Sequence, residues 1–92
     1  MSKKIYVRNL NWDTNELSLG DICKQYGQVL DTRIIKDRET GRSRGFGFVT
    51  FNNEISADDA IRELDGATLD GRTISVEVAI DKRNNSTHQI NS

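Results

Sequence analysis

The three phenylalanines of this 92-residue chain fall within eight consecutive residues, Arg44-Gly45-Phe46-Gly47-Phe48-Val49-Thr50-Phe51. Read as a strand, the stretch sends alternate side chains to opposite faces. Gly47, Val49 and Phe51 share a face that can bury, and Arg44, Phe46, Phe48 and Thr50 share the other. A half-buried antiparallel strand ordinarily turns polar groups toward water. This one offers two rings and a guanidinium, and the glycines are expected to keep the neighbourhood of the rings uncrowded. The chemistry such a face can do is stacking against a flat π partner that carries a negative charge. A nucleobase joined to its phosphate is a partner of that kind.

Other chemistries find little support in the residues. The one histidine, His88, stands alone in a polar tail, and the one cysteine, Cys23, falls on an apolar helical stripe. No paired carboxylates converge, so neither a catalytic nor a metal-binding constellation is legible and no cofactor is expected. Gly45-x-Gly47 lacks the third glycine of a dinucleotide loop, because Thr50 stands in that place. A single cysteine excludes an internal disulfide and suits a reducing compartment, nucleus or cytoplasm. No apolar run approaches the roughly 18 residues of a membrane span, and Met1–Ile5 carries no signal-peptide run.

The elements that must position the rings follow from periodicity. Ile5-Tyr6-Val7-Arg8 alternates as a strand, with Tyr6 and Arg8 on one face. Leu10 and Trp12 are expected to anchor the following loop in the core. A helix capped by Thr14 or Asp13 carries the stripe Leu19, Ile22, Cys23, Tyr26 and stops at Gly27. Gly20 lies inside it at a cost of about 1 kcal/mol relative to alanine. Val29–Lys36 reads as a second strand, with Val29, Thr32 and Ile34 inward and Arg33 and Ile35 toward the face of Phe46. Residues 37–43 form a charged turn whose length suits a finger that orders on a ligand. A second helix opens with Ser56-Ala57-Asp58-Asp59 as a capping box, carries Ala57, Ala60, Ile61 and Leu64, and ends at Gly66. Asp70-Gly71 is a turn signal. The last strand sets Ile74, Val76 and Val78 against Ser75, Glu77 and Ala79, and residues 81–92 read as a flexible polar tail.

The order β-α-β-β-α-β is that of a split βαβ, ferredoxin-like α+β sandwich. Its right-handed crossovers place both helices on one face of a four-stranded antiparallel sheet. Charge follows the same division. The net value is −1, yet residues 1–12 and 29–52 together carry +5, while 13–28 carry −2 and 53–71 carry −5. If the basic segments share a face, that face can hold an anionic polymer despite the acidic sum.

With these residues in place, the chain resembles an RNA-recognition motif over residues 4–80. The octamer Arg44–Phe51 matches the family pattern at every specified position, and Ile5-Tyr6-Val7-Arg8-Asn9-Leu10 matches its hexamer. The resemblance implies that Tyr6 and Phe48 each stack on a base, that Phe46 lies against sugars, and that Arg44 pairs with a phosphate. It also implies that Asn9 fixes the loop at the platform edge and that Glu77, Ala79 and Ile80 meet bases. Arg8, Arg33 and Ile35 flank the rings on the same face, and Arg42 in the charged turn is expected to hold phosphate.

Two positions depart from the family. Cys23 stands where a phenylalanine is usual, which predicts a slightly loose core. Glu77 places an acid where basic or neutral residues are common, and its pairing with Arg8 is expected. The implied activity is non-catalytic binding of single-stranded RNA by a monomer. Single-stranded DNA remains an alternative ligand, because stacking platforms tolerate either sugar. A protein partner on the sheet or on the acidic second helix (Asp58, Asp59, Glu63, Asp65) is a further alternative.

Overall fold

The computed structural model describes residues 3–79, so Ile80 and the tail 81–92 lie outside the described residues. Its main sheet is antiparallel, in the order β2-β3-β1-β6. These strands are β1 (Lys4–Arg8), β2 (Val29–Lys36), β3 (Ser43–Phe51) and β6 (Ser75–Val78), with helices α1 (Glu16–Cys23) and α2 (Glu54–Leu64) between them. The expected sandwich is therefore present. The aromatic octamer forms β3, a central strand, and pairs with β1 so that Tyr6 lies opposite Phe48 and Arg8 opposite Phe46.

One face of the sheet is closed by both helices. Ile5, Val7, Ile34, Val49, Phe51 and Val76 pack there in one cluster with Leu19 and Cys23 of α1 and Ala57, Ala60 and Leu64 of α2. Cys23 is fully buried among them, and burial pushes its thiol up to about 12, which makes it an unreactive apolar side chain. The helix stripe is as expected, except that the helix proper stops at Cys23 and a tight turn, Lys24–Tyr26, brings the chain to Gly27. Gly20 has a packing reason. A Cβ there would lie 3.1 Å from Thr32 Oγ1, so its absence lets α1 rest on β2.

The helix starts differ from expectation. Asn15, and neither Thr14 nor Asp13, caps α1: its side chain accepts from Ser18 N at 2.9 Å, and Ser18 completes the box. Thr14 is buried and donates instead to Asp70 Oδ2 at 2.6 Å. Helix α2 is capped three residues before its expected cap Ser56, by Asn53, which accepts from Ser56 N at 2.8 Å. Ser56 is spent on packing, since a Cβ on Gly27 would lie 2.0 Å from its Oγ.

Both edge strands are protected by helix carboxylates. An edge strand leaves alternate N–H groups unpaired and open to association. The outward N–H of Ile34 on β2 donates to Glu16 Oε2 at 3.1 Å, and that of Val76 on β6 donates to Asp65 Oδ1 at 3.0 Å. Between α2 and β6, Thr68–Leu69 (β4) and Arg72–Thr73 (β5) form a small hairpin around Asp70-Gly71. Both turn residues have positive φ, 51° and 83°, the conformation a two-residue hairpin turn requires.

Candidate nucleic-acid interface

The face opposite the helices carries the rings. Tyr6 and Phe48 lie 5.1 Å apart between centroids at 23°, nearly parallel, and Phe46 meets Tyr6 edge-on at 5.7 Å and 79°. All three are half-buried and in contact with one another. Cations flank them: Lys4 Nζ stands 5.3 Å from the Phe48 centroid and the Arg8 guanidinium 5.6 Å from that of Tyr6. Both distances suit a cation–π contact. Arg33 lies directly across from Phe48 on β2 and pairs with Asp31 at 3.4 Å.

Glu77 lies across from Tyr6, and its carboxylate stands 3.6 Å from Arg8 Nη2, the expected pair. Each partner's side chain is 51% exposed, so the pair is worth at most about 1 kcal/mol. The acid is thereby answered locally, and Arg8 is shared between it and the Tyr6 ring.

The glycines of the octamer serve the backbone. Gly45 has φ +84° and interrupts the β2–β3 register between Ile34 and Lys36, so Ile35 has no direct partner on β3. Arg44 is carried past this irregularity to a cleft at the sheet's end, which it lines together with Arg8, Asn9 and Phe46. Gly47 is buried, and a Cβ on it would stand 2.3 Å from the carbonyl oxygen of Arg33. It makes room for β2, which corrects the expectation that it opens space beside the rings.

Asn9 fixes the edge of the platform. It adopts φ 64°, donates from Nδ2 to Thr73 O at 2.7 Å, and accepts from Arg72 Nη2 at 2.7 Å. Asparagine tolerates this left-handed conformation better than most residues. Asn9→Ala is therefore expected to lower stability by about 2 kcal/mol, with Asn9→Gly milder, as read by urea denaturation.

The remaining expected residues are placed as follows. Ala79, which the resemblance sets against bases, is 9% exposed and donates its N–H to Lys4 O at 2.9 Å, just past the end of β6. Val78 keeps the helical side across from Ile5 but is 44% exposed at the end of an edge strand. Arg42 lies away from the rings, in a groove with Lys36 and Trp12. Its turn is held by Asp37, whose carboxylate accepts from Glu39 N at 2.8 Å and Thr40 N at 3.2 Å. Those two bonds, and Arg44 nearby, hold the Asp37 carboxyl below its usual range. The contribution of this carboxylate is complete above the ordinary carboxylate pKa and is lost as pH falls through its lowered one. Ile80 lies outside the described residues.

Trp12 overturns an expectation. Leu10 alone anchors the loop in the core, at 1% exposure, and Trp12 is 70% exposed. Thr14 N donates to Asn11 O and Asp13 N to Asn11 Oδ1, a tight turn that puts Trp12 on its outer side. Among the acids of α2, Asp59 pairs with Arg62 and Asp65 with the β6 backbone, so two of the four have internal partners.

Comparison with known proteins agrees with this fold. The family profile described as "RNA recognition motif" matches residues 5–75. Glycine-rich RNA-binding protein 2, mitochondrial, of Arabidopsis thaliana is 51% identical over 82 residues, covering 89% of this chain and 52% of that protein. Its name places it outside the nucleus and cytoplasm expected from the cysteine count. A solved structure described as RNA Binding Protein PG1 superposes with a TM-score of 0.84 at 48% identity, covering 87% of this chain and 96% of that one. Another, Rna15 RRM with bound RNA (GU), gives a TM-score of 0.80 at 26% identity with full coverage of both chains. The chain spans about a quarter to three fifths of the length of the curated relatives it matches.

Proposed function

The chain belongs to the RNA recognition motif family, and from that premise we propose that it binds single-stranded RNA without catalysis, through residues 4–80 acting as one module. The observation that carries the reading is the set of three contacting rings on the sheet face away from the helices, with Lys4 and Arg8 at cation–π distance. In this reading Tyr6 and Phe48 each take a base, Phe46 lies against the sugars between them, and Arg44 and Arg33 meet phosphates. Arg42 holds the strand farther out, and Glu77 with the main chain around Ala79 borders the far edge.

Stacking contributes about 1–3 kcal/mol per base, so two or three bases with a few phosphates give affinity on the order of micromolar. The test is a titration of the whole chain with random-sequence single-stranded RNA at several salt concentrations. Binding near micromolar is expected, with a log–log salt slope of about −1.4 to −2 for two to three phosphates. Duplex RNA of the same length hides its base faces and is expected to compete poorly. Equal competition by the duplex sinks the stacking reading. Equal competition by single-stranded DNA widens the ligand class and leaves the platform intact.

A further inference from the structure

We propose that Arg72, carried by the small hairpin between α2 and β6, is a further RNA-contacting residue, which grips a phosphate of the bound strand where it leaves the end of the sheet. The inference rests on the single-stranded RNA reading above. Two hydrogen bonds fix the guanidinium: Nη2 donates to Asn9 Oδ1 at 2.7 Å, and Nε donates to the Asn9 carbonyl at 3.3 Å. A guanidinium has five N–H donors, and these bonds use two of them along one edge. The edge between Nη1 and Nη2 keeps two parallel donors, the arrangement that a phosphate accepts as a fork. The clamp alone does not call for a charge, since a neutral donor satisfies an amide oxygen and a carbonyl as well. Arg72 nevertheless brings a full positive charge, and it makes no ion pair among the described residues.

The surroundings of Arg72 fit an anion. It lines a cleft of about 290 Å³ with Arg8, Arg44 and Phe46, and no acidic side chain stands in the walls. Arg8 is already answered by Glu77. The acid nearest to Arg72 in sequence, Asp70, accepts from Thr14 Oγ1 at 2.6 Å and takes no part in the cleft. A strand lying over Tyr6, Phe48 and Phe46 reaches this place through Phe46, which belongs to both the platform and the cleft. The hairpin that delivers the arginine is held before any ligand arrives. Leu69 and Ile74 are buried on either side of Arg72, and Ile74 N donates to Ala67 O at 2.9 Å. Asn11 Nδ2 donates to Asp70 O at 2.9 Å, which ties the hairpin's turn to the loop after β1. A guanidinium fixed in this way gives up little side-chain freedom when a phosphate binds.

The experiment titrates the full chain, and its Arg72→Gln and Arg72→Lys variants, with a random-sequence RNA octanucleotide at several salt concentrations. Both variants break the fork with Asn9, so they share any structural cost, and they differ in charge. Arg72→Gln is expected to reduce the magnitude of the log–log salt slope by about 0.7, one phosphate's share on a single strand. The same slope makes its binding about 5-fold weaker at 0.1 M salt, with the difference closing as salt nears 1 M. Arg72→Lys is expected to keep the wild-type slope. A wild-type slope for Arg72→Gln, or the same slope change in both variants, overturns the proposal. Weakening by one constant factor at every salt concentration also overturns it and leaves Arg72 as a staple between the hairpin and β1. In those cases Phe48→Ala still weakens RNA binding, so only this inference falls. If the octanucleotide does not bind the wild-type chain, the RNA reading falls with it.

Discussion

Gly47→Ala is expected to destabilise the domain by about 3 kcal/mol, a shift in Tm of roughly 12–24 °C for a chain of this size. The position carries ordinary strand geometry, so the backbone itself tolerates a side chain. The obstacle is space. An added Cβ meets the Arg33 carbonyl oxygen at 2.3 Å and Ile34 Cα at 3.2 Å, both main-chain atoms of β2. No rotamer change relieves such a contact; β2 must move away from β3. That movement also pulls on the Ile34 N–H that Glu16 covers, and on Arg33 across from Phe48. Gly41→Ala is the control. Gly41 has φ +75° with nothing within 4 Å of its missing Cβ, so only conformational strain of about 1 kcal/mol applies. If urea denaturation finds Gly47→Ala no worse than Gly41→Ala, β2 is not pressed against the strand as described.

The octamer's alternation placed Phe46 and Phe48 on the open face and Val49 and Phe51 in the core, because side-chain period in a strand is fixed by geometry. The stripes of both helices were legible for the same reason, and so was the pairing of Glu77 with Arg8, two positions on neighbouring strands. The role of Gly47 was not. Whether a glycine frees space for a ligand or for another strand depends on the partner strand's path, which period does not encode. Trp12 departs from the burial its size predicts, because the turn that puts it outward depends on Asn11 bonding to Asp13 and Asp70, the latter distant in sequence. The caps moved to Asn15 and Asn53 because several polar residues competed at each helix start, and packing on Gly27 and Asp70 engaged the others. The roles of Glu16 and Asp65 depend on where the sheet edges lie, since each covers a backbone N–H of an edge strand.

Phe48→Ala is expected to weaken single-stranded RNA binding about 5- to 150-fold, the loss of one stacked base. Its ring lies on the open face and shares none of the buried cluster, so the melting temperature is expected to hold within a few degrees. Tyr6→Ala is expected to behave alike, but the two losses will not add. The rings are stacked on each other at 5.1 Å, so removing one leaves the other without its flank, and each single change already disturbs both. The double variant Tyr6→Ala/Phe48→Ala therefore loses less than the product of the two single factors, a coupling readable in a double-mutant cycle. Salt separates the platform from the phosphate contacts. Phe48→Ala lowers affinity by the same factor at every salt concentration and leaves the slope unchanged. Arg44→Ala reduces the magnitude of the slope by about 0.7, one phosphate's share on a single strand. A Phe48→Ala variant that binds as wild type at all salt concentrations removes the stacking floor and returns the three rings to an unexplained apolar surface. A slope change from Phe48→Ala, with no change from Arg44→Ala, reverses the assigned roles.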